Sequence, residues 1–252
     1  LDAATLDEFM DFYHKFYVPE NAILSIAGDI NIEETKNLVN AYFGPIPRGK
    51  QKIESISIVE PPLNGEIRDT IYDNIQLPGV MMAYRIPKAG TKDFYAIELM
   101  SMVLSQGESS RLNKKCVENS ESAVYVGAFP FDSEDPGLSF VYAIANSDVD
   151  PLKLEDEINE EFNKVQSELI SEREFTKVRN MLENDFIYNF TSMIGIAEDL
   201  ANYEMYYGDA NLINTELERY LKVTKEDIQR VAKEYFVPSN RVVLYYLPKE
   251  NE

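Results

Sequence analysis

The chain has 252 residues, 44% of them hydrophobic and 12% aromatic, enough to bury a substantial core as one large domain or two smaller ones. A formal net charge of −20 argues against a nucleic-acid partner, because phosphate backbones are held by clustered Lys and Arg. No apolar run approaches the length needed to span a membrane, and a single cysteine, Cys116, excludes an internal disulfide.

Residues 5–17, TLDEFMDFYHKFY, read as an amphipathic helix opened by a Thr5–Glu8 capping box, with Phe9, Phe12, Tyr13 and Phe16 at helical spacing. Pro19 stops it. AILSIAGD then reads as a buried strand closing on a Gly-Asp turn, and IEETKNLVNAYFG as a second helix. The proline-bearing stretch from Pro45 to Gly65 reads as a linker, which divides the chain into residues 1–50, a linker at 51–65 and a domain at 66–252.

EIRDTIYDN and GVMMAYRI read as strands joined through Pro78 and Gly79. The helix DFYAIELMSMVLS leads through QGESSRLNKKCVE into two further strands, SAVYVGAFPF and GLSFVYAIAN. Beyond Asp150 the pattern is helical. Leu154, Ile158, Phe162, Val165 and Leu169 trace one apolar stripe; a Ser171–Glu174 capping box opens a second through Phe175, Val178, Leu182 and Phe186. GIAEDLANYEMYYG, LINTELERYL and TKEDIQRVAKEYF read as helices before the closing strand RVVLYYLP. This order predicts an α+β fold, a mostly antiparallel sheet covered on one face by several helices and preceded by a helix–strand–helix tail. The acidic runs, such as EDEINEEFNKVQSE, read as solvated helix faces, with a field that favours cationic peptides as the alternative.

The two ends of the chain repeat. At a constant offset of 219 residues, Thr5 meets Thr224 and Glu8 meets Asp227, so the capping pairs coincide. Phe9, Phe12, Phe16 and Tyr17 meet Ile228, Val231, Tyr235 and Phe236; Val18, Pro19 and Asn21 are identical to Val237, Pro238 and Asn240. A shared cap, apolar spacing, stop and strand point to a duplicated architecture, in which residues 1–50 are the tail of one copy and 66–252 nearly all of the next. About 150 to 200 residues of the first copy are then expected upstream of Leu1.

FYVPENAILSIAGDI, EETKNLVNAYFGPIP, SSRL, VGAF, SEREFTKVRNML and VTKEDIQRVAKEYFVPSNRVVLYYLP, in that order and spacing, resemble the insulinase-like (pitrilysin) zinc metallopeptidases and their inactive relatives, which include mitochondrial processing peptidase subunits. The resemblance implies a clamshell of homologous α+β domains around a peptide-sized chamber. It also implies zinc on an H-x-x-E-H helix of the first domain, where the metal lowers the pKa of the attacking water. His14, in HKFYV, has neither the glutamate nor the second histidine of that motif and reads as a helix-surface residue. No zinc ligand set is expected in this chain. Cys116 is expected to be buried and inert.

Active members of that family place an arginine and a tyrosine in the second domain, or in a partner subunit, to hold substrate. Laid on CVENSESAVYVGAF without gaps, their pattern puts Val117 at the arginine and Val124 at the tyrosine, with Tyr125 one place off and facing the wrong way. A local bulge would restore Tyr125, though without an arginine. Tyr125 and Arg111 of SSRL are the candidate substrate-binding residues, Arg111 with positioning of a turn as its preferred role. The resemblance implies a non-catalytic wall of the chamber of a zinc endopeptidase, with peptides or unfolded protein as substrates and the periplasm or cell envelope as the compartment of many bacterial members. It leaves room for a homologous partner subunit or a homodimer. The alternatives are part of a non-catalytic partner or assembly subunit, and an unrelated acidic protein-binding domain.

Overall fold

Helix ends in the computed structural model, which describes residues 3–54 and 60–249, fall where side chains satisfy free backbone N–H groups. Both capping boxes at Thr5–Glu8 and Thr224–Asp227 form, and Ser171 and Glu174 exchange the same pair of bonds. Gly208, at φ 67°, stops the sixth helix in a left-handed conformation that only glycine adopts without strain. The chain forms two compact units, Leu1–Glu60 with Phe186–Asn214, and Pro61–Asp185 with Thr215–Glu252.

The larger unit holds a five-stranded sheet of β1 (Ile67–Asp73), β2 (Gly79–Ile86), β3 (Ala123–Pro130), β4 (Gly137–Ala145) and β5 (Arg241–Pro248), in the spatial order β1-β5-β2-β4-β3. β5 runs parallel to β1; every other pair is antiparallel. β1 and β2, consecutive in the chain, are therefore not neighbours, because β5 returns from the far end to lie between them. One face of the sheet carries Val80, Met82, Tyr84 and Ile86 of β2, all at most 3% exposed. Three helices cover it: α3 (Lys92–Ser105), α4 (Pro151–Ser167) and α8 (Lys225–Tyr235). α3 is apolar on nearly every side, as a helix buried on most of its circumference must be. The Tyr84, Phe162 and Phe236 rings meet at 4.8–5.8 Å where β2, α4 and α8 converge. Leu154, Ile158, Phe162 and Val165 of the predicted α4 stripe are buried. Leu169 lies beyond the end of α4 and is 44% exposed, so the stripe stops one turn early.

On the same face Glu155 of α4, 3% exposed, is held by two arginines from neighbouring strands. Arg68 of β1 donates to both its oxygens at 2.8 and 2.9 Å, and Arg241 of β5 donates at 3.0 Å. Burial alone would raise this carboxyl, but the hydrogen bonds from Arg68 and Tyr245 outweigh it and hold the pKa near 2. A second polar cluster joins α3 to α7 (Leu212–Leu221): Tyr220 donates to Glu98 at 2.5 Å and Tyr95 to Glu216 at 3.0 Å, with the two rings edge-on at 4.5 Å.

The smaller unit holds α1 (Leu6–Phe16), α2 (Ile32–Phe43) and α6 (Met193–Tyr207), none of which has a buried residue. The strand expected over AILSIAGD does not form. Residues 22–27 pair with no strand among the described residues, and a strand is defined by its partner, not by its own apolar run.

Candidate functional site

The other face of the sheet is open. Its outward residues fall in three rows that run across four strands: Tyr246, Gly79, Ile144 and Tyr125; Leu244, Met81, Tyr142 and Gly127; Val242, Ala83, Phe140 and Phe129. Met81, Ile144, Tyr125 and Phe129 are 38–47% exposed. A residue pattern that alternates inward and outward along each strand would normally place polar groups on an open face. Here the outward set is aromatic and aliphatic, with Arg85 opposite Leu138 as the cation next in register.

Tyr125 reaches this face through a β-bulge. Ala123 pairs with Ala145 and Tyr125 with the adjacent Ile144, so Val124 is the extra residue of β3. Two successive side chains, Val124 and Tyr125, then point outward, and the register beyond them is reversed relative to an unbroken strand. The Tyr125 ring stacks on Tyr142 at 5.1 Å and lies along the strand over Gly127. A Cβ on Gly127 would stand 3.0 Å from the Tyr125 hydroxyl and 3.3 Å from the Tyr142 ring, so the glycine provides the room. The hydrogen bond its hydroxyl makes to Tyr125, followed by burial, raises the Tyr142 phenol pKa above its ordinary value. Phe129 completes the cluster, edge-on to Tyr142 at 6.0 Å and 5.8 Å from Phe140.

Arg111 stands apart from that cluster in its bonding. Its guanidinium grips Glu174 in two parallel bonds, Nε to Oε1 at 2.6 Å and Nη2 to Oε2 at 3.0 Å. Glu174 also receives the Ser171 N–H and hydroxyl at the start of α5 (Glu172–Asn189). Arg111 bonding leads the causes that hold the Glu174 carboxyl near pKa 2. The guanidinium thus serves a helix cap. Val117 lies in a π-helical turn, Asn113–Asn119, and brings no cation to the open face.

His14 is exposed on α1, and Cys116 is fully buried with its thiol pKa pushed up to about 12 by burial. Among the described residues no three His, Cys, Asp or Glu side chains converge where they could hold a metal ion. The residues present do not fit a zinc site. No helix among the described residues is long and apolar enough to cross a membrane.

Comparison with known proteins gives this geometry its context. The sequence model of the family described as "Peptidase M16 inactive domain" matches residues 3–182. A Helicobacter pylori protein named "Zinc protease PqqE" is 26% identical over 246 residues, which is 97% of this chain and 55% of that protein. The chain therefore spans about half the length of the curated relatives it matches. A crystal structure of a protease from Helicobacter pylori superposes with a TM-score of 0.92 at 24% identity, covering 98% of this chain and 60% of the other. A peptidase M16 inactive domain from Pseudomonas fluorescens gives 0.80 at 15% identity, over 99% and 59%. The α+β architecture is common to all three.

Proposed function

The chain belongs to the peptidase M16 inactive-domain family, and from that premise we propose that it is the non-catalytic C-terminal part of a zinc-dependent metalloendopeptidase, its open sheet face forming one wall of a peptide-binding chamber. The observation that carries this reading is the three outward rows of apolar and aromatic side chains on a sheet whose other face is buried along β2 and β4. A large uncovered apolar surface marks an interaction site. An extended peptide or unfolded segment places alternate side chains on one side at about 6.6 Å intervals, a period that matches the outward residues of a strand. The unrelated acidic binding domain drops out with the family assignment.

In this reading the zinc that cleaves peptide bonds is held by residues of the parent protein outside this chain, and no side chain here transfers a proton. Tyr125 contacts substrate; Arg111 does not, being bound to Glu174. No arginine accompanies Tyr125, since Val117 occupies the corresponding place. This favours, as a second reading, a homologous partner subunit or second copy that supplies the cation. Coexpression with a neighbouring homologue should then raise the peptidase activity of the parent protein.

The wall is tested in the full-length, zinc-loaded parent with Met81→Glu and Phe129→Glu. KM for an unstructured peptide should rise about tenfold with kcat, zinc content and thermal midpoint little changed. An unaltered KM for both variants would overturn the reading.

A further inference from the structure

The outward rows of the open face hold three phenols, and two of them are paired with each other. Tyr246 donates to the Asp73 carboxylate at 2.6 Å, and Arg85 is bound to the Pro61 carbonyl. Tyr125 and Tyr142 come from adjacent strands. Tyr142 lies opposite Gly127, and the Tyr125 ring runs along β3 to cover that glycine. The polar ends of the two rings meet there: the place of a Gly127 Cβ is 3.0 Å from the Tyr125 hydroxyl and 3.3 Å from Tyr142 Cε1, next to the carbon that bears the hydroxyl.

The two phenols are held differently. Tyr142 is stacked on Tyr125, edge-on to Phe129 at 6.0 Å, and opposite Met81 in β2. A ring packed on both sides keeps its hydroxyl in one place. Tyr125 is 47% exposed, and an exposed phenol on its own spreads its donor direction over solvent. The bond to Tyr142 removes that freedom. The raised phenol, Tyr142, is the one whose proton the bond holds, so its O–H donates and the Tyr125 oxygen accepts. The Tyr125 proton then points away from the pair, over the open face. An O–H whose oxygen already accepts a hydrogen bond is polarised into a stronger donor.

We propose that Tyr142 is a positioning residue for substrate: it holds the Tyr125 hydroxyl and aims its proton at a main-chain carbonyl of the bound peptide, so that the paired phenols fix the register of an extended chain on this wall without an arginine. The inference rests on the open face being the peptide-binding wall proposed above. A peptide laid on apolar side chains loses water from its carbonyls, and a carbonyl left without a donor carries a penalty comparable with the gain from apolar contact. One outward O–H among apolar neighbours suits a neutral acceptor, and every peptide unit supplies one.

Kinetics of the full-length, zinc-loaded parent on an unstructured peptide test the assignment. Tyr142→Phe keeps the ring and its stack and removes only the hydroxyl. KM should rise about fivefold, the worth of one oriented hydrogen bond, with kcat, zinc content and thermal midpoint little changed. Tyr125→Phe should raise KM at least as much. Tyr142→Phe added to Tyr125→Phe should then change KM by less than about twofold, because the proton it aims is gone. Gly127→Ala keeps both hydroxyls but sets a Cβ 3.0 Å from that of Tyr125; it should raise KM too, and add as little to Tyr125→Phe. An unchanged KM in Tyr142→Phe, or an equal rise in both backgrounds, would overturn the proposal. Met81→Glu and Phe129→Glu keep the two readings apart, since a raised KM in them beside an unchanged one in Tyr142→Phe leaves the wall and removes only its aimed donor.

Discussion

Tyr125 and Tyr142 stack with ring centroids 5.1 Å apart and planes 29° apart, and the stack exists because Val124 takes an extra place in β3. In an unbroken strand the alternation that buries Ala123 would bury Tyr125 as well. The bulge turns the phenol onto the open face, and Gly127 leaves the strip of backbone on which it lies. A one-residue feature of an edge strand therefore determines which side chain the uncovered surface displays.

Deleting Val124 should close the bulge and leave Tyr125 outward opposite Ile144, because Ala123 facing in and Tyr125 facing out is then the ordinary alternation of a strand. The cost should be about 1 kcal/mol or less, since no core side chain changes face. Urea unfolding followed by circular dichroism measures it. Tyr125→Ala, at a half-exposed position, should likewise cost about 1 kcal/mol. A deletion that costs about 3 kcal/mol or more would mean that it reverses the strand beyond it and that Val124 is not the extra residue.

Arg111→Ala should lower stability by about 1–2 kcal/mol, because it removes a bidentate partner from a helix cap. Arg111→Lys should recover little, as an ammonium cannot make both parallel bonds. In the full-length peptidase, peptide KM should stay unchanged for both variants. A raised KM with an unshifted thermal midpoint would instead return Arg111 to the substrate.

Glu98 gives a pH dependence of defined sign. Burial raises its carboxyl from 4.5 to about 7; the nearby Glu216 and Asp132 carboxylates push the same way, and the Tyr220 bond only partly opposes them. With the folded-state pKa above the unfolded one, the protonated form favours folding. The contribution is full below about pH 4.5 and is lost as pH rises through 7. Glu98→Gln, a neutral mimic of the protonated form, should make the urea midpoint less sensitive to pH between 5 and 8. An equally steep profile in that variant would assign the titration elsewhere.

The local features of this fold were legible in the sequence, and the partnered ones were not. The capping boxes at Thr5, Ser171 and Thr224 lie within four residues of what they satisfy, and all three form. The strand at residues 22–27 failed as a reading because its apolar run says nothing about the neighbours a strand requires. The adjacency of β1 and β5 hides for the same reason, since its paired residues lie about 175 positions apart, Ile67 opposite Val242. Tyr125 was an intermediate case. A bulge was the condition for its outward placement, but whether the chain makes one depends on packing against β4. Arg241 gave no signal at all: its counterpart in the repeat is Ala22, and its acceptor Glu155 sits in an acidic run that looks like solvated helix surface.

That arginine supplies the sharpest test of the buried face. Arg241 is 5% exposed and donates to Glu155 at 3.0 Å, to Asn159 at 2.8 Å and to the Tyr84 hydroxyl at 3.2 Å. Arg68 binds the same glutamate from β1, so one carboxylate ties β1 and β5 to α4. Replacing Glu155 by Ala leaves the buried Arg241 with one of its two carboxylates, Glu66, which its Nε reaches at 2.5 Å, and about 2–3 kcal/mol should be lost. Replacing Glu155 and Arg241 together by Met removes both charges and leaves Glu66 to Arg68, and most of that loss should disappear despite two substitutions, because the penalty lies in the under-compensated charge. The wild-type carboxyl titrates near 2 when folded and near 4.5 when free, so its contribution is present above about pH 4.5 and falls away as pH drops toward 2. A double variant no more stable than Glu155→Ala would show that the network stabilises through its specific hydrogen bonds.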